Sequence, residues 1–276
     1  MQNELSQIME QSQPKSFKFG QLSYKAMTPQ EIYETVQHMY KQRLFVVGQT
    51  GSGKTWAIKK LWEHGPRENV VRVIFDSKGL LDVDGNGNPD PLSDQRKIGN
   101  LKTLEHALFT EHDTKHTLIF QPPRRLIEGK IARSYADAAL DIVYRYCMQR
   151  FKARRSMPYN GARVYVDELG AISTATDIPA NWTAFATRGR AIGAAVWGGS
   201  QRPCFIPGTA MSESEIKLVG HLDTAKDLEK VAHEMGCHLF RASPQVWAEE
   251  RGAKEGSPEW FAFWLRRGRK IALINV

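Results

Sequence analysis

A three-layered α/β fold with a mainly parallel central sheet is what this sequence predicts, and three observations carry the prediction. Short apolar runs recur at 44–47, 70–75, 116–120, 164–166, 194–199 and 216–222, each closed by turn residues or polar side chains. Helical stretches fall between several of them, the alternation expected of strands joined by right-handed crossovers. The first run leads straight into a glycine-rich loop and a helix, so a nucleotide-sized site is expected at the carboxyl ends of the strands.

That first stretch, LFVVGQTGSGKT from Leu44 to Thr55, fits G-x-x-x-x-G-K-[ST] at Gly48, Gly53, Lys54 and Thr55. Glycines at 48, 51 and 53 allow a tight turn whose amides, from Gly48 through Gln49, Thr50, Gly51, Ser52 and Gly53, face inward toward a triphosphate. Lys54 would reach the β and γ phosphates and the Thr55 hydroxyl would hold Mg²⁺, which makes ATP and Mg²⁺ the expected ligands.

Ahead of this core, residues 1–40 form a polar lead-in, with Thr28 and Glu31 spaced as a capping box. Residues 41–276 are expected to be one domain. WAIKKLWEH continues the helix after the loop until Gly65-Pro66, and Val70 to Phe75 forms the next buried strand, with Asp76-Ser77-Lys78-Gly79 at its exit. In LLDVDGNGNPDPLSD, Asp82, Asp84, Asn86, Gly87 and Asp90 match positions of a calcium loop, but Ser93 stands where a bidentate Glu belongs, and a turn explains the composition better. A strand at 116–120 ends at Pro122-Pro123, followed by Arg124 and Arg125. From Ile131 to Phe151 the apolar spacing is helical, and its basic end carries Arg145, Arg150, Lys152, Arg154 and Arg155, either a solvated face or a nucleic-acid contact.

The second chemical signal is Val164-Tyr165-Val166-Asp167-Glu168. A carboxylate at the end of a strand beside a phosphate loop can hold the metal with Thr55, and Glu168 after it can polarise a water as general base. A helix-like NWTAFATRGRAIG precedes the strand at 194–199, whose tip offers Gln201 as a sensor of the γ phosphate. Arg188 and Arg190 stand before that strand, as arginine fingers toward a neighbouring subunit or as plain surface cations. Ile216 to Leu222 reads as a strand and TAKDLEKVAHEMG as a capped helix. The chain closes in a β-hairpin whose tip carries Arg266, Arg267, Arg269 and Lys270.

Hydrophobic residues make up 41% and charged residues 25%, the composition of a soluble globular protein, and a net charge of +8 permits a polyanionic partner. No apolar run approaches a membrane span. Cys147, Cys204 and Cys237 lack ligand spacing, as do His221, His233 and His238, so the cytoplasm is the expected compartment.

With the phosphate loop, FDSKG, VYVDELG and GRAIGAAVWGGSQRP in this order, the chain resembles the FtsK–HerA superfamily of DNA-pumping ATPases over residues 43–225. FDSKG is similar to the D-P-K-G of conjugative coupling proteins, with Ser77 in place of proline, and SQRP to a strand-ending T-Q-R-P. The resemblance implies a RecA/ASCE-like P-loop NTPase, Walker A and B roles for Lys54, Thr55, Asp167 and Glu168, and the sensor role for Gln201. It also implies a trans-acting finger among Arg188, Arg190 and Arg202, and a homohexameric ring that threads DNA by its backbone. Lacking membrane segments and a large accessory domain, the chain looks most like the genome-packaging ATPases of membrane-containing icosahedral viruses. That implies a capsid or portal-vertex partner and a place in the host cytoplasm or on the virion. A plasmid-transfer or chromosome-processing motor is the nearest rival, and a P-loop kinase or nucleotide switch the rival from another class.

Overall fold

The computed structural model describes residues 42–65, 67–79, 81, 88–122, 129–235, 244, 262–267 and 270–275, with the backbone alone at 129–132, 262, 264–267 and 270–275. In chain order the strands are β1 (Leu44–Val47), β2 (Val70–Phe75), β3 (Gln95–Ile98), β4 (Thr117–Phe120), β5 (Gly161–Val166), β6 (Ala194–Ser200), β7 (Ile216–Val219), β8 (Ala262–Arg267) and β9 (Lys270–Asn275). The helices of two turns or more are α1 (Lys54–Glu63), α2 (Leu101–Phe109), α3 (Gly129–Ala153), α4 (Ala180–Arg188) and α6 (Ala225–Met235), with the short α5 (Gly208–Ser212) before the last.

Among the described residues all nine strands belong to one sheet, in the order β3-β4-β2-β5-β6-β1-β7-β8-β9. From β3 to β7 every pairing is parallel, and β8 and β9 add an antiparallel hairpin beside β7. The expected mainly parallel sheet and the closing hairpin are both present.

Alternation along the strands separates two cores. Leu44 and Val46 of β1 face the same side as Ala57, Ile58, Leu61 and Trp62 of α1, together with Ile74, Trp197, Ile216, Leu218 and Phe263. Phe45 and Val47 face the other, where Leu104 and Leu108 of α2, Leu140 and Val143 of α3, Trp182 and Phe185 of α4 and Val231 of α6 pack. Because both faces are covered, the strands read as continuous apolar runs rather than as polar/apolar alternation. Helix, sheet and helix make the three layers.

Arg163 of β5 is completely buried in the layer under α1. Its guanidinium lies 4.9 Å from the Trp62 ring and 5.4 Å from the Trp197 ring, and Nη1 donates to the Trp62 carbonyl at 3.0 Å. A cation is thus placed at the carboxyl end of α1, where the helix dipole favours it. The Trp62 indole N–H reaches on to Thr117 Oγ1, at the start of β4, at 3.1 Å.

Several expectations are revised. β3 and α2 were not anticipated: of Gln95, Arg96, Lys97 and Ile98 only the last is buried, as suits a polar edge strand, and α2 is announced chiefly by Asn100, whose side chain accepts the Thr103 N–H at 2.9 Å. β7 ends at Val219 rather than at 222, the Gly220 N–H making the last bond to β1, with the Val47 carbonyl at 2.8 Å. Arg150 does not belong to an outward basic face: it is buried and donates to the Pro158 carbonyl. Arg145 is exposed but paired with Asp141 and Glu105, and Lys152, Arg154 and Arg155 are exposed beyond it. Asp90 accepts from Lys59, and Ser93 hydrogen-bonds with Glu63. The lead-in at 1–40, Asp82, Asp84, Asn86, Gly87, Arg124, Arg125, Cys237, His238 and Arg269 lie outside the described residues.

Candidate active site

β1 ends between β6 and β7, and the loop after it is stitched to both neighbours. The Gly48 N–H donates to the Ser200 carbonyl at 3.2 Å and the Gln49 N–H to the His221 carbonyl at 2.9 Å. Gly51 and Gly53 take φ of +82° and +80°, the left-handed region, so glycine is required at both. At Gly48 a Cβ would fall 2.3 Å from Ser52 Oγ. The loop therefore closes on itself as a cradle of backbone amides.

α1 begins at Lys54 with no acidic residue in its first turn, and among the described residues no side chain caps it, so its first N–H groups point out of the helix. Ser52 Oγ is buried and makes no hydrogen bond among the described residues. An open helix N-terminus, an orphaned hydroxyl and two left-handed glycines fit a polyphosphate. Lys54 is buried beside it, and its Nζ lies 3.8 Å from Asp167 Oδ1. Thr55 follows on the same turn. The buried Asp167 carboxylate and the Thr55 hydroxyl are hard oxygen donors of the kind Mg²⁺ takes.

Asp167 is held from below. The Tyr165 hydroxyl donates to Asp167 Oδ1 at 3.1 Å, and burial, then the neighbouring Asp167 carboxylate, push the Tyr165 phenol well above its ordinary pKa, so it stays a donor. Gly199 makes room for this arrangement: a Cβ there would stand 2.4 Å from the Asp167 carbonyl and 2.7 Å from Tyr165 Oη. Two adjacent glycines inside an apolar strand, Gly198 and Gly199, are the sequence signal of such a close approach.

Glu168 is buried, and its carboxylate accepts the Gly170 amide at 3.3 Å, the Gln201 amide at 3.2 Å and Lys78 Nζ at 3.1 Å. Lys54, Asp167, Glu168 and Gln201 are thereby brought to one edge of the sheet, with Gln201 joined to Glu168 through its backbone. Arg188 and Arg190 are not: both are exposed before the start of β6, at the end of the sheet opposite its own phosphate loop.

The expected capping pair of Thr224 and Asp227 is present, and two further features of this edge have no counterpart in the sequence reading. Asp76, buried at the exit of β2, accepts the amides of Lys78, Gly79 and Leu81 and the side-chain amide of Gln121. Asp227, buried in the first turn of α6, accepts the Cys204 amide at 2.9 Å and Arg202 Nε at 2.8 Å, which fastens the segment after Gln201 to that helix. Burial opposes the Asp227 charge, but the donors, Thr224 first and then the Cys204 amide and Arg202, prevail and hold its pKa below the usual carboxylate range.

No protein-family model matches this sequence, and no curated protein does. Solved structures do match. The genome-packaging NTPase B204 from Sulfolobus turreted icosahedral virus 2, in complex with ATP-gammaS, superposes with a TM-score of 0.54 at 12% identity, covering 84% of this chain and 96% of that one. The bacterial conjugative coupling protein TrwB gives 0.53 at 13% identity over 94% and 95% of the two chains. The pCW3 conjugation coupling protein TcpA, with ATPgS, gives 0.50 at 14% identity over 86% of this chain and 60% of that one. The shared property is the fold.

Proposed function

We propose that this chain, whose fold is that of the FtsK–HerA-type P-loop ATPases, is an ATP hydrolase that moves DNA. The observation that carries the reading is the convergence of Lys54, Asp167, Glu168 and Gln201 beside an uncapped helix N-terminus, the ends of β1, β5 and β6 contributing to one edge. The expected run of phosphate-facing amides is shorter than 48–53, because those of Gly48, Gln49 and Ser52 donate to protein carbonyls. The amides of Thr50, Gly51 and Gly53 and of the first turn of α1 would hold the phosphates of ATP, Lys54 would meet their charge, and Thr55 and Asp167 would hold Mg²⁺, which supplies electrophilic charge when bound. Glu168 would take the proton of the attacking water, and Gln201 would report the γ phosphate.

The polyanionic partner is supported by the net charge of +8 and by Lys152, Arg154 and Arg155, exposed at the carboxyl end of α3. Contacts to backbone phosphate imply little sequence preference. Arg188 and Arg190, far from their own phosphate loop, suit a finger acting on the next protomer of a ring, of six by analogy. Packaging of a viral genome, with a capsid or portal-vertex partner in the host cytoplasm or on the virion, is the favoured process. The likeness to B204, which covers nearly all of that protein, supports it, and the comparable likeness to TrwB supports plasmid transfer as the second reading.

The test is the steady-state ATPase rate with and without double- and single-stranded DNA, for wild type and Glu168→Gln, over a range of salt. The expected result is stimulation by DNA that fades as salt rises and disappears in the variant. Hydrolysis indifferent to DNA at every salt concentration would leave a nucleotide switch as the better account.

A further inference from the structure

Glu168 is met by donors of two kinds. The Gly170 and Gln201 amides belong to the tips of β5 and β6, fixed beside it by the sheet. Lys78 is different: a mobile-ended cation delivered from the exit of another strand, 90 residues earlier in the chain, to Oε2 at 3.1 Å. The loop that delivers it is firmly built. The buried Asp76 carboxylate gathers four donors, the amides of Lys78, Gly79 and Leu81 and the Gln121 side chain from the end of β4, while Gly79 sits at a φ of +68° that glycine alone takes without strain. Lys78 is thus aimed rather than merely near.

An ordinary surface ion pair contributes little and has no fixed geometry. This pair differs on both counts, since its acidic partner is 8% exposed and is the group that the proposed reaction needs as a base. A carboxylate committed to an ammonium and two amides is not turned toward a water at the phosphates. We infer that Lys78 is a positioning residue that parks Glu168 away from the reacting water, so that hydrolysis requires the Lys78 contact to open. This rests on the reading of Glu168 as general base. Two states of one side chain, parked and released, would make the exit loop of β2 the place where a partner's binding sets the rate.

The experiment measures kcat and KM for ATP, with and without DNA, in wild type, Lys78→Met, Lys78→Arg and Lys78→Met combined with Glu168→Gln, with thermal unfolding of each as a check on folding. Release predicts that Lys78→Met raises the DNA-free kcat about fivefold, with KM little changed and the ratio of stimulated to basal rate reduced. Lys78→Arg, which keeps the cation, returns to the wild-type rate, and the gain vanishes without Glu168. Gln121→Leu, which loosens the Asp76 loop without touching Glu168, moves the basal rate in the same direction by less. A DNA-free kcat in Lys78→Met at or below that of wild type, or a gain that survives Glu168→Gln, overturns the clamp while leaving the motor reading intact. Silence of wild type and Lys78→Met alike, with and without DNA, overturns both.

Discussion

Lys54 Nζ lies 3.8 Å from Asp167 Oδ1, and both side chains are almost wholly shielded from water. Each is the other's countercharge. Lys54→Met should therefore abolish nucleotide binding and also leave a buried carboxylate uncompensated, whereas the double variant with Asp167→Asn should recover part of the lost stability. Thermal unfolding of the two single variants and the double, without nucleotide, should give a coupling of about 1–2 kcal/mol. Strict additivity would mean that the two groups do not sense each other.

Gly199→Ala should be more damaging than a methyl group in a strand normally is. The added Cβ meets the Asp167 carbonyl and the Tyr165 hydroxyl at less than contact distance, and backbone cannot step aside as a flexible side chain would. A loss of about 1–3 kcal/mol in denaturant unfolding is expected, with a fall in kcat that outstrips the loss of folded protein because Asp167 is displaced. Wild-type stability would show that the strands have slack at this point.

Asp227 links stability to pH. Its carboxyl is held below the ordinary range, so its contribution is complete above the unfolded-state value of about 3.9 and is lost as pH falls from there through the folded-state value. Asp227→Asn should cost about 1–3 kcal/mol near pH 7, and the gap to wild type should narrow below about pH 4. Urea unfolding at pH 7 and at acid pH gives both numbers. A gap that is constant with pH would assign the effect to packing.

Arginines 150, 154 and 155 are close in sequence and should behave in opposite ways. Arg150→Ala removes a buried donor to the Pro158 carbonyl and should lower thermal stability while leaving the salt dependence of DNA binding unchanged. Arg154→Ala with Arg155→Ala should leave the melting temperature alone, weaken DNA binding and reduce the slope of log affinity against log salt by about 2. Equal effects in both variants would remove this end of α3 from the DNA-contacting surface.

Much of the candidate site was legible because its residues are local in sequence. The phosphate loop is contiguous, and Asp167 and Glu168 end a strand whose apolar run is visible, so each announces itself within a dozen residues. What was missed is long-range. Lys78 reaches Glu168 across 90 positions and Arg202 reaches Asp227 across 25, and no spacing rule connects them. Asp76 looked like a strand-exit residue in sequence, and only the meeting of the β2 and β4 ends reveals its hold on Gln121. β3 stayed hidden because an edge strand with Arg96 and Lys97 carries no apolar signature. Arg150 groups in sequence with an outward basic face, solvated or in contact with nucleic acid, because a charge run does not disclose which member turns inward.

Arg163, seated between Trp62 and Trp197, gives the helix that starts at the phosphate loop a second anchor at its far end. Ten residues of helix span about 15 Å, so α1 is a short beam clamped at both ends, one end in the loop and the other in β5 and, through Thr117, β4. That far end lies at the rim of the sheet opposite the loop, the rim where Lys152, Arg154, Arg155, Arg188 and Arg190 are exposed, so one short helix physically joins the candidate site to the face that carries those cations.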